Sequence, residues 1–397
     1  MKAVIMAGGK GTRLFPLTNR VPKPMVDFCN RPNLEHLVGR LAACGFEEVY
    51  LTLGYRPDLV SGYFGDGSRH GLRMRYSVEV VPLGTAGGVK ALEPVLDETF
   101  LVVSGDAVCD LDLREPVAFH KAQGADVTLV LTRVDNPMEF GLVVTDENHR
   151  VIRFLEKPKS WSEAFTDVVN TGIYVLEPQV LREIPADCFY DFSKHLFPRL
   201  LADGAKMCGM LTEAYWCDVG SLVQYRQAHF EALTGRIRGH AGAKEEKMPG
   251  VLAQGETRVA ASAQVRPPVL LGEGARIAAG AIVGPFVVLG PGARVEERAC
   301  VVESVILREA VVGRGATVYG CIIAQNTIVA PATSWQHVAA DERHLTRVAP
   351  RAEAPMPQGF AARHAWRRAA APSARLAEPS AVEGAVGSEP QAVPTGC

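Results

Sequence analysis

The chain opens with the stretch MKAVIMAGGKGTRLFPLTNRVPKP, Met1 to Pro24, in which a short apolar run enters a glycine-rich turn and then a basic segment. The run from Ala3 to Met6 predicts a buried β-strand. Three glycines in the turn let the backbone bend sharply and let its N–H groups approach a ligand closely. A strand that enters such a turn ahead of Arg13 and Lys23 favours a phosphate-binding site.

Two well-known phosphate-binding loops do not account for this turn. A Walker A loop needs a glycine five positions before Gly9, where the chain has Val4, and a hydroxyl residue after the lysine, where it has Gly11. The dinucleotide-binding fingerprint fails because Leu14 stands at the position of its third glycine. The turn alone therefore leaves two interpretations open, a phosphate loop of another kind or a glycine turn without a ligand.

Composition narrows the class of protein. The 397 residues are enough for two or three domains, and a hydrophobic fraction of 47% allows a large core. A net charge of −2, from 42 basic and 44 acidic residues, argues against nucleic acid or a membrane surface as a partner. The apolar run at the amino terminus is too short for a signal peptide, and no stretch approaches the length of a membrane span. Nine cysteines without a C-x-x-C pair indicate free thiols and a cytoplasmic location.

Residues 1–235 alternate short β-rich runs with helical patterns. Val49–Leu53, Phe100–Val103 and Val127–Leu131 are predicted as buried strands, and an apolar stripe predicts a helix between Asn33 and Gly45. The residues expected to cap helices are Asn33, Asp191 and Ser221. Alternating strands and helices predict an α/β domain with a Rossmann-like, mainly parallel sheet covered on both faces. Ligands of such sheets bind at the carboxyl ends of the strands, where the glycine turn lies.

The second half of the chain has a different composition and a different periodicity. Residues 236–250 are polar and glycine-containing and are predicted to be a linker. Aliphatic residues then recur every six positions, at Leu271, Ile277, Val283, Leu289 and Val295, and after a break near Val301 again at Ile306, Val312 and Val318. This period predicts a short left-handed parallel β-helix of hexapeptide repeats over residues 251–330. The Ala- and Pro-rich residues 331–397 are expected to be a disordered tail.

Several polar residues follow predicted strands. Asp106 comes directly after one strand, and Asp218 stands in a similar position before a helix. Each aspartate alone fits a turn or a cap, but together with a phosphate loop at the same sheet edge the pair fits a Mg²⁺ site. Glu156 and Lys157 could hold a sugar hydroxyl and a phosphate, although a solvated turn before Pro158 is the simpler alternative.

Six segments, in this order, resemble the sugar-1-phosphate nucleotidyltransferase family: GGKGTRLFPLTNRVPKPM, PLGTAGG, SGD, EKP, NTGIY and WCDVG. Within it, VDFCNRP at Val26 to Pro32 is most similar to members that transfer guanylyl groups to mannose 1-phosphate. The resemblance covers residues 1–235, and the hexapeptide segment is similar to the family's C-terminal domain. It implies an enzyme that uses Mg²⁺, binds GTP and a sugar 1-phosphate, and releases pyrophosphate.

The resemblance also implies roles for individual residues. The nucleotide would be bound by Gly8, Gly9, Gly11, Thr12, Arg13, Lys23, Glu79, Gly84 and Thr85. The sugar phosphate would be bound by Gly141, Glu156, Lys157 and Asn170. Catalysis would depend on Arg13, Lys23, Asp106, Lys157 and Asp218, of which Asp106 and Asp218 would bind the metal.

Elementary electrostatics agrees with a cluster of cations at this site. The sugar phosphate is largely dianionic at pH 7, since its second pKa is about 6, and needs no general base. Bringing it to a triphosphate costs roughly 4 kcal/mol for each like-charge pair at ~4 Å in an effective dielectric near 20. Mg²⁺, Arg13, Lys23 and Lys157 would offset this repulsion and position the reactants for in-line attack.

The choice of base depends on Glu79. Relatives that use UTP or dTTP usually carry glutamine at this position, whereas a carboxylate can accept both N1–H and the 2-amino group of guanine. GTP is therefore expected, while mannose rests on the resemblance alone. A glucose-1-phosphate nucleotidyltransferase using UTP or dTTP and a non-catalytic regulatory subunit are the alternatives. Acyl transfer by the coil is disfavoured because residues 251–330 contain no histidine, so the coil is expected to serve homo-oligomer assembly.

Overall fold

The computed structural model describes residues 1–239, 244–245 and 248–348 of the chain. The amino-terminal part is built around one nine-stranded sheet, and residues 251–348 form a coil of short strands. The predicted tail beyond residue 348 lies outside the described residues, as do residues 240–243 and 246–247 of the predicted linker.

The main sheet consists of nine strands, β1 to β9 in chain order: Lys2–Met6, Glu48–Leu53, Arg73–Val78, Phe100–Ser104, Val127–Arg133, Gly141–Thr145, Val151–Glu156, Val168–Leu176 and Met207–Leu211. β1 pairs in parallel with β2 and β4, and β2 pairs in parallel with β3. β8 runs antiparallel to β4, β5 and β6. The Rossmann-like fold class is confirmed, and its parallel half is joined to a largely antiparallel one.

Helices cover both faces of this sheet. The α-helices α1 to α6 span Asn33–Ala43, Pro57–Phe64, Gly84–Lys90, Arg114–Gln123, Phe197–Ala202 and Leu222–Leu233. Short 3-10 helices span Thr12–Leu14, Leu17–Asn19, Lys23–Met25, Ser68–His70, Glu93–Val95, Pro137–Glu139 and Pro178–Glu183, and a π-helix spans Phe192–Leu196. Ala3 and Ile5 of β1 pack into one apolar cluster with Leu34 of α1, whereas Val4 packs with Val89 of α3 on the other face. None of the helices in the described part of the chain is long and apolar enough to cross a bilayer.

Two of the three predicted helix caps are present. Asp191 accepts hydrogen bonds from the Ser193 and Lys194 N–H groups, and Ser221 accepts one from Gln224 N–H. The prediction for Asn33 is wrong, because Asn33 is the first helical residue of α1 and Pro32 precedes it. Pro32 ends a short ribbon, Asp27–Phe28 paired with Arg31–Pro32, and this ribbon leads the chain directly into the helix.

A second short ribbon positions the site. Ala107–Cys109 pairs antiparallel with Trp216–Asp218, and Ala107 lies opposite Asp218. This pairing places Asp218 beside Asp106, the residue that follows β4 and its turn. Two segments more than a hundred residues apart in sequence are thereby brought to one edge of the main sheet.

The second part is a parallel β-helix with three sheets. The first contains Lys244–Glu245, Val251–Ala253, Val269–Leu271, Val287–Leu289, Val305–Ile306, Ile322–Ile323, Val338–Ala340 and Leu345–Arg347. The second contains Arg258–Val259, Arg276–Ile277, Arg294–Val295, Val311–Val312 and Ile328–Val329. The third contains Gln264–Val265, Ile282–Val283, Cys300–Val302, Thr317–Tyr319 and Ser334–Gln336.

The hexapeptide pattern corresponds to the interior of this coil. The predicted aliphatic positions, from Leu271 through Val295 and from Ile306 through Val318, are buried in one cluster. The break in the period is a change in pairing: Val269 lies opposite Val287, but Val288 lies opposite Val305, one residue fewer per turn. The predicted β-helix is therefore confirmed as part of the fold class.

The coil continues past residue 330, the end expected from the sequence. Ser334–Gln336 and Val338–Ala340 each pair in parallel with the turn before them. Leu345–Arg347 then folds back antiparallel onto Val338–Ala340 and forms a closing hairpin. The last turn was not recognised because Trp335 and Ala339 break the alternation of aliphatic and small residues that marks the earlier turns.

The two parts share an apolar interface. Leu270, Val288 and Ile322 of the coil lie in one buried cluster with Phe28 and Tyr225 of the amino-terminal part. The Asn30 side-chain amide adds polar contacts, donating to Gln254 Oε1 at 2.9 Å and to the Leu289 carbonyl at 3.0 Å. The coil is therefore packed against the same side of the main domain that carries the Asp27–Pro32 ribbon and α6.

Candidate active site

Lys23 lies between the two aspartates that the sequence singled out as metal ligands. Its Nζ is 2.7 Å from Asp106 Oδ2 and 3.1 Å from Asp218 Oδ1. The other oxygen of Asp106 accepts a hydrogen bond from the Ser104 hydroxyl at 2.6 Å. Lys23 is buried, whereas both carboxylates are partly open to solvent. The structure thus brings three of the predicted catalytic residues into direct contact.

The ionisation of this group follows from its contacts. Burial by itself would lower the pKa of Lys23, but the Asp106 and Asp218 carboxylates outweigh burial and raise it. Burial would raise the pKa of Asp106, and the Lys23 ammonium together with the Ser104 hydroxyl holds that pKa below its usual value. Lys23 is therefore a fixed positive charge, and Asp106 a fixed negative one, at neutral pH.

Arg13 joins this group from the glycine turn. Its guanidinium is 3.6 Å from Asp218 Oδ2 and 3.2 Å from Glu139 Oε2. Both Arg13 and Glu139 are more than half exposed, with side-chain exposures of 58% and 55%. Glu139 was not predicted from the sequence, and no signal there could have found it, since it lies 126 positions from Arg13. It stands two residues before Gly141 and links the glycine turn to the predicted sugar-phosphate residues.

The glycine turn leaves room for a ligand and is tied to Lys23. Gly11 has a φ of 68°, and a Cβ at that position would lie 2.5 Å from Lys23 Cβ, so only glycine fits. A Cβ at Gly9 would meet no atom within 4 Å, and at Gly8 it would make only ordinary contacts. Gly9 and Thr12 are exposed to solvent. The backbone of the turn is therefore accessible to a ligand, next to the buried ammonium of Lys23.

The predicted sugar-phosphate residues form a second group. A Cβ at Gly141 would lie 2.8 Å from Glu156 Oε2 and 3.6 Å from Asn170 Cβ, so these three residues meet at one point. Asn170 Nδ2 donates to Tyr174 Oη at 2.9 Å and to Ser193 Oγ at 3.3 Å. Burial raises the pKa of Glu156 against the opposing effect of Lys157. Tyr174 and Ser193 were not assigned a role from the sequence.

Lys157 is placed at the rim of this second group. Its side chain is exposed, its φ of 46° is in the left-handed region, and its N–H donates to the Phe140 carbonyl at 3.1 Å. The neighbouring loop that carries Glu139 and Gly141 is thereby connected to the end of β7. The positive φ of Lys157 turns the chain directly after the end of β7.

The predicted base-reading residues form a third group around α3. The Glu79 carboxylate accepts a hydrogen bond from Leu83 N–H at 3.0 Å, and a Cβ at Gly88 would lie 2.4 Å from its other oxygen. Burial raises the pKa of Glu79. Thr85 Oγ1 donates to Asp191 Oδ2 at 2.9 Å and accepts from Phe192 N–H at 2.9 Å. Glu79 therefore supports its own loop in addition to any role toward a base.

Gly84 packs closely against the backbone of Tyr190, which belongs to the segment 187–192 beside α3. It has a φ of 74°, and a Cβ there would lie 2.6 Å from the Tyr190 carbonyl. The same carbonyl accepts hydrogen bonds from the N–H groups of Ala86 and Gly87. The first turn of α3 is thus held by the 187–192 segment, and Thr85 is held with it.

The donor chemistry at Asp106 and Asp218 suits a divalent cation. Two carboxylates already converge on one positive charge, and each retains lone pairs beyond those it uses. Mg²⁺ prefers one or two carboxylates completed by water and substrate phosphates, so a larger cluster is not needed. Among the described residues there is no group of three or more His, Cys, Asp or Glu side chains that could hold a metal by itself.

Family models match both parts of the chain. The model described as nucleotidyl transferase matches residues 2–235, and the model described as the GMPPB C-terminal domain matches residues 265–343. The first match covers more than half of the chain.

Individual relatives agree with these matches. The chain is 40% identical over 275 residues to a mannose-1-phosphate guanylyltransferase of Mycobacterium tuberculosis, covering 66% of this chain and 76% of the relative. It is 37% identical over 265 residues to a UTP–glucose-1-phosphate uridylyltransferase of Synechocystis, covering 63% and 68%. A mannose-1-phosphate guanyltransferase of Aspergillus fumigatus is 41% identical over 226 residues, which cover 55% of this chain and 61% of that relative.

Solved structures also match. A putative glucose-1-phosphate thymidylyltransferase of Bacillus anthracis superposes with a TM-score of 0.53 at 25% identity, covering 62% of this chain and 98% of that one. HddC of Yersinia pseudotuberculosis, complexed with GMP-PN, superposes with a TM-score of 0.50 at 27% identity, covering 58% and 99%.

Proposed function

The chain belongs to the nucleotidyl transferase family, and on that premise we propose that it transfers a guanylyl group from GTP to mannose 1-phosphate, giving GDP-mannose and pyrophosphate. The observation that supports this most directly is the contact group of Arg13, Lys23, Asp106 and Asp218 beside an open glycine turn. That group combines fixed positive charge with a carboxylate pair, the combination that transfer between two phosphates requires.

In this reaction a phosphate oxygen of the sugar phosphate attacks the α-phosphorus of the nucleotide. The bond between that phosphorus and the oxygen bridging to the β-phosphate breaks, and pyrophosphate leaves with both electrons of the bond. Lys23 supplies charge at the attacked phosphate, and Arg13, at the end of the open turn, neutralises the departing pyrophosphate. The protein's own contribution is therefore orientation and charge, without a general base.

We assign Mg²⁺ to Asp106 and Asp218. When bound, the ion would neutralise phosphate charge at the reacting centre. The Ser104 hydroxyl holds Asp106 in place, and the short ribbon that contains Asp218 fixes the second carboxylate against it. Lys23 keeps the two carboxylates together, since it hydrogen-bonds to both of them.

The sugar phosphate is assigned to the group around Gly141. Glu156 is an acceptor for sugar hydroxyls, and Asn170 retains one lone pair on Oδ1, since Gly172 N–H is the one donor to that atom among the described residues. Both amide protons of Asn170 are used by Tyr174 and Ser193, so Asn170 accepts from the sugar and does not donate to it. The exposed Lys157 then meets the sugar's phosphate.

The guanine preference rests on Glu79 and on the names of the relatives. A carboxylate is acceptor-only and suits the two adjacent donors of guanine. Two of the relatives described above carry guanylyl or guanyl transfer in their names, and the coil matches a model named for GMPPB. The second candidate, uridylyl transfer to glucose 1-phosphate, is favoured by the Synechocystis relative.

A panel of substrates separates the two candidates. Purified full-length protein is incubated with GTP, UTP, dTTP or ATP and with mannose 1-phosphate or glucose 1-phosphate, and pyrophosphate release is measured with Mg²⁺ or with EDTA. We expect the highest kcat/KM with GTP and mannose 1-phosphate, and no release in EDTA. Preferential use of UTP and glucose 1-phosphate would replace the guanylyl assignment with the second candidate.

We also propose a cytosolic homo-oligomer. The eight cysteines in the described part of the chain are free, as in proteins of a reducing compartment. Val259 in the first turn of the coil and Ile328 in its second sheet are exposed apolar side chains at 45% and 68%, suited to contact with a second copy. Light scattering coupled to size-exclusion chromatography tests this, and a monomer at micromolar concentration would contradict it.

A further inference from the structure

The closing hairpin of the coil contacts the segment that follows the glycine turn. Its strands Val338–Ala340 and Leu345–Arg347 are joined by a tight turn, residues 341–344, closed by a hydrogen bond from Asp341 N–H to the His344 carbonyl at 3.0 Å. Asp341 also accepts from the N–H groups of Arg343 and His344. The turn is thus rigid by its own hydrogen bonds.

Three side chains of this turn reach three side chains of the segment Phe15–Arg20. Arg20 Nη2 is 2.9 Å from Glu342 Oε2, and Asn19 Nδ2 donates to Asp341 Oδ2 at 3.2 Å. The rings of Phe15 and His344 meet edge to face with centroids 4.8 Å apart. An ion pair, a hydrogen bond and a ring contact therefore join residues more than 320 positions apart.

The segment Phe15–Arg20 is in turn connected to the glycine turn. Thr18 Oγ1 donates to the Gly11 carbonyl at 3.0 Å, and Leu14 N–H donates to the same carbonyl at 3.0 Å. Leu14 and Leu17 are buried in the cluster shared by the two parts of the molecule. The segment is therefore held from inside by apolar packing and from outside by the hairpin turn.

We propose that the turn Asp341–His344 is a positioning element that holds the nucleotide-phosphate turn Gly8–Arg13 in its binding conformation, through Phe15, Asn19 and Arg20. This inference rests on the proposed function for its kinetic consequence, because it assigns Gly8–Arg13 to the triphosphate. The residues of the hairpin turn do not touch the reacting atoms, so they act on nucleotide affinity and leave the sugar site unchanged.

The first test separates nucleotide binding from turnover. Glu342→Ala should raise the KM and the calorimetric Kd for GTP about two- to fivefold, the range of an exposed ion pair. A triple alanine variant of Asp341, Glu342 and His344 should raise both about tenfold, with kcat and the KM for mannose 1-phosphate within about twofold of wild type. The charge-reversed pair Arg20→Glu with Glu342→Arg should restore the GTP values.

The matched control is the Arg314–Glu297 ion pair. Its atoms are 2.8 Å apart, it is at least as exposed as the Arg20–Glu342 pair, and it joins two turns of the coil. Glu297→Ala removes the glutamate of this pair, as Glu342→Ala does in the other, and should leave the KM for GTP unchanged. A change as large as that of Glu342→Ala would mean that any loss of a coil ion pair has this effect, and would overturn the proposal.

Hydrogen exchange tests the contact without reference to the reaction. The N–H groups of Leu14, Phe15 and Asn19 donate to the carbonyls of Gly11, Thr12 and Pro16, and they should exchange faster in the triple variant than in wild type or Glu297→Ala. Unchanged exchange would overturn the proposal, and so would faster exchange with an unchanged Kd for GTP. If wild type turned over no substrate pair, the proposed function would fail, while exchange and calorimetric GTP binding would still decide this inference.

Discussion

At the scale of single residues, the main feature of the site is the pairing of a buried cation with nearby carboxylates. Lys23 is buried, and its ammonium is compensated by two carboxylates. A buried cation that loses one of its partners is strongly disfavoured, so each aspartate supports Lys23 as well as the proposed metal. This double dependence makes the aspartates the most informative positions to change.

Asp218→Asn is expected to lower kcat/KM on the order of 10²-fold, because it removes a proposed metal ligand and one acceptor of Lys23. The measurement is pyrophosphate release at saturating Mg²⁺. Asp112→Asn is the matched control, since Asp112 also carries an arginine ion pair, with a side-chain exposure of 33% against 24% for Asp218. If both variants retained wild-type rates, the assignment of the metal site would be wrong.

Glu139→Gln is expected to lower the KM for GTP about two- to fivefold. Glu139 and the triphosphate compete for the same guanidinium, and an exposed ion pair is worth only up to about 1 kcal/mol. Steady-state kinetics with varied GTP gives the value. A higher KM in Glu139→Gln would show instead that Glu139 orients Arg13 toward the nucleotide.

At the scale of elements, sequence patterns predicted what depends on local chemistry and missed what depends on distant contacts. Asp191 and Ser221 cap helices because a short polar side chain satisfies free N–H groups nearby in the chain. Asn33 does not cap α1, since the ribbon that ends at Pro32 fixes the helix start. The antiparallel half of the main sheet follows from the register of β8 with β4 and β5, which no single segment encodes.

The same distinction applies to the site. The motifs around Arg13, Asp106 and Asp218 are recognisable because each lies at the end of a strand or directly after a turn, at the same edge of the sheet. Glu139 is not recognisable, because its contact is with Arg13, which lies 126 positions away in the chain. Sequence periodicity likewise identified the aliphatic turns of the coil but not the final hairpin, whose contacts are with the segment after the glycine turn.

Helix α6 carries a pH-sensitive contact between the elements. His229 is fully buried, its Nε2 lies 3.2 Å from the Cys29 N–H donor, and its Nδ1 is 2.8 Å from the Tyr225 carbonyl. Burial lowers the pKa of His229 to about 4, against a backbone contact to Tyr225 that opposes it. The ring is therefore neutral at pH 7, with Nδ1 as the donor and Nε2 as the acceptor.

The stability of the protein should fall in acid through this histidine. Its pKa in the folded state lies below the ordinary value of 6.5, so unfolding takes up a proton between these two values. The stabilisation is complete above pH 6.5 and is lost as the pH falls toward 4, by about 2 kcal/mol between pH 7 and pH 5. Urea unfolding of wild type and His229→Gln at both pH values should show a smaller decrease for the variant; equal decreases would contradict the assignment.

At the scale of the whole molecule, the coil and the main domain behave as one packed unit. Val348 and Ala339, at the end of the coil, are buried in the cluster that also contains Leu14 and Tyr225. The hairpin turn adds its polar contacts to the segment after the glycine turn. The coil therefore contacts the segment that follows the glycine turn, in addition to its proposed role in assembly.

Two truncations test whether the last turn of the coil contributes to the stability of this packed unit and to GTP binding. A chain that ends at Val348 keeps every strand of the coil and the closing hairpin, and should retain wild-type kcat and KM for GTP. A chain that ends at Ala330, where the hexapeptide pattern fades, loses the last turn, uncovers Val318 and Ile323, and removes the partners of Asn19 and Arg20. Uncovering two aliphatic side chains costs about 3–6 kcal/mol, so the shorter chain should unfold several degrees lower and bind GTP more weakly. Thermal unfolding and GTP calorimetry on both chains give the comparison, and equal values would show that the last turn of the coil does not support the nucleotide site.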